Sequence, residues 1–205
     1  MKSIFTFMIT TTLVLLSVQG LASGSPDYVR VRSINYAGSG CPAGTVAENI
    51  SPDYKAFTLE FDSFIAETGP RQPLSASRKN CSIALSIDHP DGWQYTIFSV
   101  DYAGYISLDS GVQAMQKSLY YFQGQSATAN LQTTFYGPTD RDYQIRDFLG
   151  ITEQVWSPCG AKRALILNAQ VIANNYRNPS GRGVITLDTI WAYARHRYSL
   201  QWRRC

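Results

Sequence analysis

The sequence predicts an all-β protein, an antiparallel β-sandwich of jelly-roll-like or related type held by two disulfides. Three observations predict it. Short runs in which apolar and polar residues alternate recur along the chain, the period-2 signature of strands buried on one face. Gly, Pro, Asn and Asp clusters separate these runs, as the turns of a sandwich or barrel require. Four cysteines follow an N-terminal export leader, and an even number of cysteines in an exported chain reads as a disulfide framework.

The leader comes first. MKSIFTFMITTTLVLLSVQGLA carries Lys2 ahead of an apolar stretch from Ile4 to Val18, diluted by Thr6, Thr10, Thr11 and Thr12. Gly20 and Ala22 are small residues at the −3 and −1 positions of a cut after Ala22. This is the layout of a secretory signal peptide over residues 1–22. The stretch falls short of the roughly 20 predominantly apolar residues of a spanning helix. Residues 23–205 are then expected to form one secreted β-domain, with no membrane span in the mature chain. Lys and Arg together number 18 against 15 Asp and Glu, so overall charge argues neither for nor against nucleic acid, and no nucleic acid partner is expected.

The strands follow in order. Val29, Val31 and Ile34 mark a first strand, and Thr45-Val46 start the next. Phe57, Leu59 and Phe61 alternate with Thr58 and Glu60. After the Pro/Gly loop TGPRQP (68–73), Cys81, Ile83, Leu85 and Ile87 alternate with Ser82, Ala84 and Ser86. HPDG (89–92) is a turn. Trp93, Tyr95 and Ile97 share one parity, whereas Phe98, Val100 and Tyr102 share the other. That shift predicts a β-bulge or a strand buried on both faces. LQTTFY (131–136), RALILNAQVIA (163–173), VITLDTI (184–190) and YSLQW (198–202) complete the set, with Tyr198, Leu200 and Trp202 pointing inward. Two stretches carry near-helical spacing: Val112, Met115, Leu119 and Phe122, then Leu187, Ile190, Trp191 and Ala194. Both read as strands because β-branched and aromatic residues crowd them. TDRDYQIRDFLGITEQ, rich in charge, reads as a loop.

Cys41, Cys81, Cys159 and Cys205 allow three disulfide connectivities. Cys41 with Cys81 and Cys159 with Cys205 is favoured, because sequential elements usually lie side by side. No Cys-x-x-Cys pair is present, and His89 and His196 lie outside any zinc-ligand spacing, so no metal site is expected.

The remaining chemistry is sparse. GSGCPAGT (38–45) lacks the lysine of a phosphate-binding loop, and Pro42 removes a backbone donor. No histidine stands near Cys41 in sequence to make it a nucleophile. The sequence carries no cofactor signature. Glu60, Asp62, Asp88 and Asp101 are the carboxylates from which a hydrolase pair would be drawn. Asp88 with Asp91, or Asp140 with Asp142, match no EF-hand spacing. Asn80-Cys81-Ser82 and Asn49-Ile50-Ser51 match N-glycosylation acceptors, the first hindered if Cys81 is bridged. The aromatic run WQYTIFSVDYAGY (93–105) is the leading binding candidate. Trp93, Tyr95, Tyr102 and Tyr105 would form an aromatic platform if they shared an exposed sheet face, although aromatics also fill sandwich cores.

Taken together, YAGSGCPAGT, LSASRKNCSIALSI, WQYTIFSVDYAGYISLDSGV, QKSLYYFQGQS, VWSPCG and LQWRRC resemble the secreted microbial domain-of-unknown-function family numbered 4360. All four cysteines lie inside these motifs. The resemblance implies an exported, β-rich single domain, and it implies neither an activity nor catalytic residues. The leading expectation is therefore a non-enzymatic extracellular binding or surface-associated domain whose partner is a polysaccharide or cell-surface component. The alternatives are a secreted hydrolase with a carboxylate pair, and a structural or host-interaction protein without a small ligand.

Overall fold

The computed structural model describes residues 24–187 and 195–205. The leader and the run Ile190, Trp191 and Ala194 lie outside the described residues. Among the described residues twelve strands form two antiparallel sheets: β1 Arg30–Ala37, β2 Val46–Ile50, β3 Ala56–Phe61, β4 Ile65–Thr68, β5 Arg78–Asp88, β6 Trp93–Leu108, β7 Gln113–Phe122, β8 Ala129–Tyr136, β9 Thr139–Phe148, β10 Leu165–Asn174, β11 Gly183–Thr186 and β12 Arg195–Arg204. The five-stranded sheet has the order β1-β5-β10-β7-β8. The seven-stranded sheet has the order β2-β3-β12-β6-β11-β4, with β9 on the other edge of β6. The expected antiparallel sandwich is the observed architecture.

Alternation explains the packing. Ile83, Leu85 and Ile87 of β5 and Leu165, Leu167 and Val171 of β10 point inward from the five-stranded sheet. They meet Tyr95, Ile97, Tyr102 and Ile106 of β6, Tyr198, Leu200 and Trp202 of β12, and Phe57, Leu59 and Phe61 of β3. Burial of such side chains contributes about 1.5–3 kcal/mol each. The Phe57 and Tyr198 rings stack at 4.6 Å, locking β3 to β12.

The parity shift in β6 is a bulge. Ile97 pairs with Leu200 and Ser99 with Ser199, leaving Phe98 as the extra residue. The first part of β6 is also buried on both sides, because residues 149–157 run along its free edge. Ser157 N–H donates to the Tyr95 carbonyl at 2.8 Å, and Tyr95 N–H donates to Ser157 Oγ at 2.9 Å.

Three segments depart from the sequence-based expectation. The charged stretch after Pro138 is a strand, β9, and not a loop; it inserts Tyr143 into the core and turns its charges to solvent. β4 has only four residues, too few to show a period. The last strand but one stops at Thr186. Cys41 pairs with Cys81 and Cys159 with Cys205, the favoured connectivity. The first bridge pins the GSGCPAGT turn beside β5. Gly40 N–H donates to the Asn80 carbonyl at 2.9 Å. A Cβ on Gly38 would fall 2.1 Å from that same oxygen, so only glycine fits there.

Candidate functional site: the outer face of the five-stranded sheet

The structure does not bring the sequence-selected aromatics together on an exposed face. Tyr95 and Tyr102 are core residues, each 1% exposed. Desolvation pushes both phenols above their ordinary range. Trp93 is buried at the end of β6, where the Arg204 guanidinium lies 4.0 Å from its ring centre. Tyr105 turns outward, and its hydroxyl donates to Asp140 Oδ1 at 2.6 Å. The physical reason is the parity of β6: its odd positions before the bulge and its even positions after it face the core, so Trp93, Tyr95 and Tyr102 all point inward.

The carboxylates are also dispersed. Asp88 belongs to the five-stranded sheet, whereas Glu60 and Asp101 belong to the seven-stranded sheet and Asp62 directly follows β3. Asp88 accepts from Lys162 Nζ at 2.6 Å, and Asp101 accepts from Arg146 Nε. Among the described residues no group of three or more His, Cys, Asp or Glu is arranged to hold a metal ion.

The outer face of the five-stranded sheet has a distinct chemistry. Register fixes its rows. Asn80 of β5 pairs with Gln170 of β10, which pairs with Lys117 of β7, which pairs with Gln132 of β8. The next row runs Ser82, Asn168, Leu119 and Asn130. Neighbouring strands lie about 4.8 Å apart, so each row sets its side chains at that spacing. A shallow depression of about 160 Å³ lies among Asn80, Lys117, Leu119, Asn168 and Gln170, with the backbone at Cys81 and Ala169 as its floor. Tyr121 and Ile166 extend the face at one end, and Tyr136, 64% exposed, lies at the other. Gln113 and Tyr121 mark its ends on β7, about 27 Å of strand apart.

Local bonds leave much of this face available. Arg78 Nη2 donates to Gln170 Oε1 at 2.9 Å, which orients that amide and frees its NH₂ group. Ser39 Oγ donates to Asn80 Oδ1 at 3.1 Å. Among the described residues the side chains of Lys117 and Asn168 have no hydrogen-bond partner. Amides that both donate and accept, beside apolar Leu119 and aromatic Tyr121, can bond hydroxyl-rich ligands and cover their apolar faces.

The sequence carried a signal for this face in β7. Its inward positions include polar Gln116 and Ser118, whereas its outward positions are Met115, Lys117, Leu119 and Tyr121. The near-helical spacing of Met115 and Leu119 records an apolar strip on the wrong side of a strand. The Gln116 carbonyl is accommodated inside by a tyrosine: Tyr143 Oη donates to Thr186 O at 2.8 Å and lies 3.2 Å from Gln116 Oε1.

Among the described residues no helix is long and apolar enough to cross a membrane. A protein of Arthroderma benhamiae described as an uncharacterized secreted protein is 40% identical over 181 residues, spanning 88% of this chain and 73% of that protein. A solved structure of TmCBM61 in complex with beta-1,4-galactotriose is similar at 9% identity and a TM-score of 0.26, covering 85% of this chain and 90% of the other. The model of the family described as Domain of unknown function (DUF4360) matches residues 27–205. The chain is a secreted protein and belongs to that family.

Proposed function

We propose that this secreted protein binds an extracellular polysaccharide on the outer face of its five-stranded sheet. The observation that supports this most is the row pattern itself: amides of β5, β10 and β8 in register, with Lys117 and Leu119 of β7 between them and no carboxylate in either row. Sugar hydroxyls need partners that donate and accept, and amides supply both. Pyranose rings present apolar faces that Leu and Tyr can cover. Because strands hold the side chains, the site is pre-formed, and binding orders few groups.

Depletion of the protein from solution by a panel of insoluble polysaccharides tests the reading. Asn168→Ala with Gln170→Ala removes two amides and should weaken retention roughly thirtyfold, at about 1 kcal/mol per lost hydrogen bond. Wild-type protein that stays in solution with every polymer would overturn it.

A further inference from the structure

We infer that the polysaccharide is acidic, and that its carboxylate or sulfate groups are held by a basic subsite at the Arg32–Lys162–Arg163 end of the same sheet. The inference rests on the proposed sheet-face reading and adds the chemical class of the ligand.

A cavity of about 300 Å³ opens there, lined by Arg32, Ser33, Ser86, Asp88, Lys162 and Arg163. Three separate pieces of chain supply these groups. Arg32 comes from an irregularity in β1: Val31 pairs with Ile87 and Ser33 with Ser86, so Arg32 is the extra residue of a bulge. Bulges re-aim a side chain away from the alternation of their strand. Ser86 and Asp88 come from the end of β5, on the same parity as Asn80 and Ser82. Lys162 and Arg163 come from the segment that follows Cys159, which its disulfide ties to the C-terminal residue.

The charge does not balance within the cavity. Lys162 Nζ lies 2.6 Å from Asp88 Oδ1 and 3.9 Å from Asp91 Oδ1. That contact holds the Asp88 carboxyl below its ordinary range, with Arg32 adding to the effect. Asp88 thus fixes the lysine in place and neutralises one cation. Among the described residues Arg32 and Arg163 have no salt-bridge partner. Two guanidiniums beside two serine hydroxyls make an oxyanion site, since guanidinium forks match carboxylate and sulfate geometry.

Position makes the subsite part of the larger face. From Ser86 the outward positions of β5 run through Ala84 and Ser82 to Asn80 and Arg78. A chain lying along β5 would place one end in the cavity and pass Arg78 further on, with Lys117 two strands to the side. Cations therefore recur along the path, as a ligand with charges repeated along its length requires. The outer face of the seven-stranded sheet differs: Asp101, Asp140 and Asp142 are interspersed with Arg146 and Arg197.

Two measurements test the inference separately from the reading beneath it. Affinity electrophoresis would compare polygalacturonate, dextran sulfate and neutral dextran. Wild-type protein should be retarded by polygalacturonate, dextran sulfate or both, and the two gels distinguish carboxylate from sulfate as the recognised group. Arg32→Ala with Arg163→Ala should reduce that retardation at least about tenfold, as loss of charge-assisted bonds requires. Retardation only by neutral polymer, or equal retardation of variant and wild type, would overturn the acidic subsite while leaving the sheet-face reading standing. Equal retardation by single-stranded DNA would overturn the choice of a glycan. Titration with inorganic sulfate, read on the arginine Nε–Hε resonances, judges the subsite without any polymer. Saturable shifts at Arg32 and Arg163 are expected, and shifts at neither would overturn it. An unchanged melting temperature of the double variant shows that these surface changes leave the fold intact.

Discussion

His196 is fully buried on β12, its ring packed edge-on against Phe61, Tyr102 and Tyr198. Its Nδ1 lies 3.1 Å from the Tyr198 hydroxyl, and its Nε2 has no partner among the described residues. Burial disfavours the imidazolium and pushes the histidine down to about 3 from 6.5. Between those values the unfolded chain holds a proton that the folded chain refuses. Stability from this residue is therefore fully present above pH 6.5 and is lost as the pH falls toward 3. Urea unfolding across this range should show a slope of about 1.4 kcal/mol per pH unit that His196→Gln abolishes. Matching slopes in the two proteins would contradict this. Gly104 makes a second point at this scale. A Cβ there would lie 2.0 Å from the Thr186 carbonyl oxygen and 2.8 Å from the Tyr143 hydroxyl. Gly104→Ala should cost about 2 kcal/mol through overpacking, seen as a lowered melting temperature. Neither residue stood out in the sequence, because a lone histidine and a strand glycine gain their meaning only from what packs on them.

Among the elements, β5, β10 and β12 were legible because each is buried on one face and alternates cleanly. β9 was not. It is an edge strand on β6, and edge strands carry outward charge, which blurs the distinction from a loop. β7 was read as a strand, yet the meaning of its pattern was missed, since apolar residues at outward positions look like helical spacing until the neighbouring strands give the register. The same dependence on register hid the candidate site: Asn80, Gln170 and Lys117 are far apart in sequence and adjacent only across the sheet. The cysteines needed no register. The Cys41–Cys81 bridge closes a loop of sequence separation 40 and fixes the turn beside Asn80. Cys41→Ala with Cys81→Ala should lower unfolding free energy by roughly 4 kcal/mol on the chain-entropy argument. Chemical denaturation measures this, and a loss under about 1 kcal/mol would show that the bridge constrains little.

Across the whole molecule, the two sheets share one core and present different outer surfaces. The seven-stranded sheet places Thr58, Arg197, Asp101 and Arg146 in one row of mixed sign, with Arg146 paired to Asp101. The five-stranded sheet presents amides, Lys117, Leu119 and Tyr121, with a cluster of cations at the Arg32–Lys162–Arg163 end. The proposed function places binding on the five-stranded face alone. Retention on polysaccharide of two matched variants tests it most directly. Leu119→Asp with Asn168→Asp alters the five-stranded face, and Tyr105→Ala with Gln144→Ala alters the seven-stranded face. The first should lose retention at least about tenfold while the second keeps that of the wild type. Loss confined to the second variant would contradict the assignment.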